Sequence, residues 1–210
     1  MSNLVEVCPI QLPGRENRIF DAHIGNVAEI AELVCRGIGH LLEMDFALFG
    51  YSLGAILAYE TAQCAERAGH QPRRLIVAAH RAPQCPFPGN PTWNLPEGEF
   101  KRRLQDLNGT PDEILADDEL FQLVVPTLRA DFRLDETYLL PPDHALLNCP
   151  ITVLAGQQDA EVPMSSLHPW SEMTKNKFEI RLLEGDHFLI RKRPQALVRA
   201  LNKALSQPDQ

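Results

Sequence analysis

The residues with the most chemical promise are Gly50-Tyr51-Ser52-Leu53-Gly54, a G-x-S-x-G run between the apolar stretch DFALF and the helix-patterned AILAYETA. The pentapeptide alone is common, and its placement between a strand and a helix is what gives it meaning. A tight strand-to-helix turn forces the central residue into a strained backbone conformation, with the flanking glycines removing Cβ clashes. Such a turn lifts the Ser52 Oγ clear of a sheet. The helix that follows aims N–H groups, that of Leu53 among them, at the place where an oxyanion would form.

A serine hydroxyl is a poor nucleophile without a base, and the base needs an acid to orient it. When the nucleophile sits on a G-x-S-x-G turn, the chain order is Ser, acid, His. Among the seven histidines, His187 follows the late strand-like run FEIRLL directly and has Gly185 close by, whereas His168 lies beside Pro169 at a helix start. The acid should end another strand, and Asp159 does so in GQQD after ITVLA. Asp186 adjoins the histidine but lies along the same loop, a poor geometry for holding its imidazole. The run after the earlier strand, LIVAAHRAPQ, contains no Asp or Glu. Ser52, Asp159 and His187 are the candidate catalytic residues, with the Leu53 backbone N–H as oxyanion donor.

Elements to position them can be read from periodicity. Strands are predicted over 4–10 (LVEVCPI, ended by Pro9), 46–49, 75–79, 151–155 and 178–183, and helices over 21–42, 55–68 and 194–205. Strands alternating with helices imply an α/β class with a mostly parallel sheet. Between about 81 and 143 the chain changes character: five prolines from Pro83 to Pro96, then short polar-rich helices over 97–107, 112–115 and 117–131. This stretch reads as an insertion over one end of the sheet, about 91–138, within a single domain spanning 1–210.

Composition narrows the rest. A chain of 210 residues that is 44% apolar can fill one core, and 23% charged residues exclude a disordered class. A net charge of −8 argues against nucleic-acid binding through phosphate neutralisation. No apolar run is long enough to span a bilayer, and the N-terminus has no basic stretch leading into an apolar core, so neither a membrane anchor nor a signal peptide is expected. The five cysteines, Cys8, Cys35, Cys64, Cys85 and Cys149, lack C-x-x-C spacing and are expected as packed free thiols in a reducing cytoplasm, Cys8 and Cys149 within apolar strands. The histidines show no H-x-x-x-H pattern, and no metal site is expected.

The chain resembles the type II thioesterases, stand-alone α/β-hydrolases that accompany non-ribosomal peptide and polyketide synthases; the animal medium-chain acyl-carrier-protein hydrolase is a relative. The resemblance runs through QLPGREN, FGYSLGA, AAHRAP, LNGTPDEIL, LVVPTLRADFRLDETY, LAGQQD and GDHFLI. It implies the α/β-hydrolase fold, a helical lid at about 91–138 and the same three residues, Ser52, Asp159 and His187. It also implies hydrolysis of acyl or aminoacyl thioesters on acyl or peptidyl carrier proteins. No cofactor or metal is implied, because phosphopantetheine arrives on the partner. The implied protein is cytoplasmic and monomeric. Integrated cyclising thioesterases usually place the acid after the earlier strand, so LIVAAHRAP favours the stand-alone type.

Two departures stand out. The family more often has His where Tyr51 stands, a change expected to have little effect. The family's early strand, its Gly-rich loop with the second oxyanion N–H, and the following helix have no counterpart before LPGRE. In the usual order the missing strand lies between LVEVCPI and DFALF, which would leave unpaired backbone on both. The expectation is an N-terminally truncated chain; a sheet closed some other way is the alternative. Lys101-Arg102-Arg103 is expected as a solvated helix face, with recognition of the pantetheine phosphate or an acidic carrier protein as the sharper alternative. The rivals to a thioesterase are a general carboxylesterase and a catalytically impaired remnant that binds carrier protein.

Overall fold

The sheet is built from two fully buried strands flanked by two half-exposed ones, and the side-chain alternation of the buried pair sets the layers. The computed structural model describes residues 5–207. In chain order it has helices α1 (Val27–Gly37) and α2 (Gly39–Leu42), strand β1 (Ala47–Tyr51), α3 (Leu53–Arg67) and β2 (Arg74–Ala78). Then come α4 (Glu97–Leu107), α5 (Asp112–Ala116), α6 (Asp118–Thr137), β3 (Ile151–Gly156), α7 (Met164–Leu167), β4 (Phe178–Leu183), α8 (Leu189–Lys192) and α9 (Pro194–Leu205). The four strands are parallel in the order β1-β2-β3-β4.

Successive side chains of a strand point to opposite faces. Leu75 and Val77 of β2, with Ile151, Val153 and Ala155 of β3, therefore pack against Val27 and Ile30 of α1 and Ile56, Tyr59 and Ala62 of α3. Ile76, Ala78 and Leu154 point the other way, onto Leu197, Ala200 and Ala204 of α9. Burial on both faces is why RLIVA and ITVLAG are mostly apolar and lack the polar alternation of a half-exposed strand.

The stretch between β2 and β3 forms α4, α5 and α6 around its own apolar cluster of Phe100, Leu104, Leu115, Phe121 and Val125. The Asp117 side chain caps α6 by accepting from the N–H groups of Glu119 and Leu120. The helix runs through Pro126 to Thr137, six residues beyond the expected end.

Three expectations fail. LVEVCPI is not a strand: its described part, Val5–Ile10, has no ladder partner, and Val5, Val7 and Ile10 are exposed. A strand needs a neighbour for its backbone N–H and C=O groups. Among the described residues β1 pairs with β2 alone, so nothing adjoins this segment; Leu4 lies outside them. Cys8 is accordingly exposed, although Cys35 and Cys149 are buried as expected. The helix predicted over 21–42 starts at Val27, where the Asn26 side chain accepts from Glu29 N, and breaks at Ile38.

Candidate active site

Ser52 follows β1 and precedes the first residue of α3, with φ 52° and ψ −126°. A non-glycine residue in this region carries strain of order 1–3 kcal/mol, so its surroundings must hold it there. They do so by close approach. A Cβ added at Gly50 would lie 1.9 Å from the Gly54 carbonyl oxygen, and the Ser52 N–H donates to the Ala78 carbonyl at 2.9 Å. Gly54 itself has open space where a Cβ would go. The two glycines of the motif are therefore unequal, and Gly50 is the one that packing demands. Leu53 opens α3, where first-turn N–H groups lack an intrahelical acceptor.

The structure brings the other two candidates to this turn. Ser52 Oγ lies 3.2 Å from His187 Nε2, and His187 Nδ1 lies 3.0 Å from Asp159 Oδ2. The Asp159 side chain is wholly buried, and its Oδ1 accepts from the N–H groups of Glu161 at 2.9 Å and Val162 at 3.1 Å. Those bonds fix the carboxylate plane that faces the imidazole. The three residues stand past the carboxyl ends of β1, β3 and β4, where parallel sheets hold their ligands. Asp186 is engaged elsewhere: it pairs with Lys192, whose hydrogen bond holds its carboxyl below the usual range, and it accepts from Phe188 N. His168 opens a 3-10 helix that precedes β4 in the chain, and among the described residues no hydrogen bond or ion pair joins its side chain to Ser52.

Tyr51, where the sequence predicts little effect from the departure from His, contacts the base directly. Its hydroxyl donates to the His187 main-chain carbonyl at 2.6 Å, and its ring lies edge-on to the imidazole with centroids 6.4 Å apart. Burial pushes the phenol up to about 12, so it remains a donor at neutral pH. No motif could flag this bond, because its acceptor is a backbone atom 136 residues away.

The α4–α6 segment sits against the same loops. Gly109, between α4 and α5, lies against the Phe188 ring, which a Cβ would strike at 2.4 Å, and its carbonyl accepts from Arg191 Nη1 at 2.7 Å. The basic run is divided: Lys101 pairs with Asp118, Arg103 pairs with Glu161, and Arg102 is exposed.

The thioesterase-domain family model matches residues 1–205. The gramicidin S biosynthesis protein GrsT of Aneurinibacillus migulanus is 36% identical over 202 residues, covering 96% of this chain and 78% of that protein. The structure of the RedJ thioesterase from the prodiginine pathway of Streptomyces coelicolor is 33% identical with a TM-score of 0.82, covering 94% of this chain and 73% of that one. The type II thioesterase BorB of the borrelidin cluster is 32% identical with a TM-score of 0.82, covering 93% of this chain and 79% of that one. With a parallel α/β sheet, a serine on a strained strand-to-helix turn and a family match over nearly its whole length, this chain belongs to the thioesterase-domain family.

Proposed function

We propose that this chain releases acyl or aminoacyl groups from the phosphopantetheine thiol of carrier proteins, with Ser52 as nucleophile, His187 as general base and acid, and Asp159 as the orienting carboxylate. The observation that carries the reading is the unbroken relay from Ser52 Oγ to His187 Nε2 at 3.2 Å and from His187 Nδ1 to Asp159 Oδ2 at 3.0 Å.

His187 Nε2 takes the Ser52 hydroxyl proton as Oγ bonds to the thioester carbonyl carbon. The negative charge moves to the carbonyl oxygen, where the Leu53 N–H donates to it. Collapse breaks the carbon–sulfur bond, and the imidazolium returns its proton to the departing thiolate. A water, deprotonated by His187, then attacks the Ser52 ester and releases the carboxylic acid and the free serine. Asp159 accepts from Nδ1 throughout, so Nε2 is the nitrogen that faces Ser52.

The reading extends to residues 91–138 as a lid over the acyl pocket, supported by the packing of Gly109 on Phe188, next to His187 in the chain. The protein would act as a monomer in the cytoplasm on a carrier protein of a peptide or polyketide synthase; a place in such a pathway is supported by relatives named for gramicidin S biosynthesis and for the borrelidin biosynthetic cluster.

The test is hydrolysis of an acyl thioester on a carrier protein, with Ser52→Ala beside the parent chain. Turnover abolished by the substitution is expected. Turnover that survives it would remove Ser52 from the mechanism, and oxygen-ester hydrolysis with no action on carrier-bound thioesters would point to a carboxylesterase instead.

A further inference from the structure

The imidazole of His187 is fixed by Ser52 and Asp159 through its side chain, but its aim also depends on where its main chain is held. The loop from β4 to α8 is gripped from two sides. On the β3 side, Gly185 O accepts from Gln158 N at 2.9 Å, Gly185 N donates to Gln158 Oε1 at 2.7 Å, and Gly156 leaves no room for a Cβ against the Gly185 carbonyl. On the β1 side, among the described residues, the main chain of this loop is held by one hydroxyl. Tyr51 Oη donates to His187 O at 2.6 Å and accepts weakly from Ile190 N at 3.4 Å. It thus bridges the carbonyl of the base and an amide in the first turn of α8.

We propose that Tyr51 is a positioning residue for the reaction: its hydroxyl pins the backbone of His187 to the turn that carries Ser52, so nucleophile and base move as one unit. The inference rests on the catalytic reading of Ser52 and His187 given above. Tyr51 and Ser52 are neighbours in sequence, so any shift of the turn carries the Tyr51 anchor with it. The ring is held in the cluster of Ile76, Ala78, Leu154 and α9, which makes the anchor rigid. The Ser52–His187 distance of 3.2 Å already lies at the long end of the hydrogen-bond range, leaving little slack. Small misplacements of a base can cost up to about 10²-fold in rate. A phenylalanine would keep the ring packing and lose the pin.

The experiment compares the parent chain, Tyr51→Phe, Ser52→Ala, His187→Ala and the double variant Tyr51→Phe/His187→Ala. Each is assayed for kcat and KM on an acyl-carrier-protein thioester, for the rate at which a fluorophosphonate labels Ser52, and for Tm. Tyr51→Phe is expected to lower kcat and the labelling rate together by about tenfold, with KM and Tm close to the parent. In the His187→Ala background the same substitution should have no further effect on either rate. An unchanged labelling rate and kcat in Tyr51→Phe would overturn the proposal, as would an equal loss with and without His187, which would mark a general packing role. Labelling that persists in Ser52→Ala would instead sink the catalytic reading, and labelling of the parent chain nowhere would sink both.

Discussion

His80 Nε2 and Asp135 Oδ1 lie 2.5 Å apart, and this contact joins the carboxyl end of β2 to the last turn of α6. Arg81 adds hydrogen bonds from Nη1 to the same carboxylate and from Nη2 to the Asp135 carbonyl at 2.7 Å. The cluster stands just past the carboxyl end of β2. Here it fastens the α4–α6 segment to the sheet.

Burial pushes the Asp135 carboxyl up, but the hydrogen bond from His80 and the charges of His80 and Arg81 outweigh it and hold the group below its ordinary range. A depressed carboxyl contributes stability above its unfolded value, near pH 4, and loses it as pH falls through the folded value. Asp135→Asn should therefore lower the urea midpoint at neutral pH, by the equivalent of about 2 kcal/mol. That is less than a fully buried pair would cost, because the Asp135 side chain is 25% exposed. The deficit should shrink as both proteins are acidified through the lowered folded-state value of the Asp135 carboxyl. A deficit constant across pH would mean that the carboxylate charge is not what holds the segment.

Asp159→Asn separates charge and tautomer from geometry. The amide oxygen can still accept from the Glu161 and Val162 N–H groups, so the loop should stay folded. Its NH2 would then face His187 Nδ1, which must become the acceptor, placing the proton on Nε2 where Ser52 needs a base. The expected loss in kcat is about 10³-fold or more, with Tm near that of the parent. A loss below tenfold would remove Asp159 from its orienting role.

The glycines of the motif should respond oppositely. Gly50→Ala puts a methyl 1.9 Å from the Gly54 carbonyl, which only a shift of the turn can relieve, so soluble protein or Ser52 labelling should be lost. Gly54→Ala meets open space in the first turn of a helix and should fold with stability equal to the parent or up to about 1 kcal/mol higher. Thermal unfolding of the two variants checks this; equal damage from both would mean that the turn's glycines serve backbone freedom rather than close packing.

Much of this was legible in the chain because the sheet's buried strands are read locally. The runs LIVA, ITVLA and FEIRLL were predicted almost to the residue, and the order Ser52, Asp159, His187 follows from which strand each ends. What was missed depends on partners far along the chain. LVEVCPI has the composition of a strand, yet a strand exists only with a neighbour, and among the described residues none adjoins it. The start of α1 was misplaced because Asn26 acts through its cap to Glu29, and the apolar Ile24 merely continues the period. The Tyr51 contact is not legible in the sequence because its partner is a carbonyl, a group every residue has. The His80–Asp135 contact spans 55 positions and follows no short motif.

The α4–α6 segment should be loosened by removing a contact that lies outside its own core. Arg191 Nη1 donates to the Gly109 carbonyl at 2.7 Å, tying the α4–α5 connection to α8, immediately after the loop that carries His187. Arg191 is exposed, so its net contribution should be that of a solvent-screened hydrogen bond, about 0.5–1 kcal/mol. If the segment opens and recloses faster than a protease cuts, cleavage tracks the population of the open form. Arg191→Ala should then speed limited proteolysis within residues 97–137 by about two- to fivefold, the factor that free energy corresponds to. The apolar cluster of Phe100, Leu104 and Phe121 is untouched, so global unfolding should not shift by more than that energy. Unchanged proteolysis would show that the Phe188–Gly109 packing holds the segment without the arginine. Faster cleavage everywhere in the chain would mean that Arg191 supports the whole fold rather than this tether.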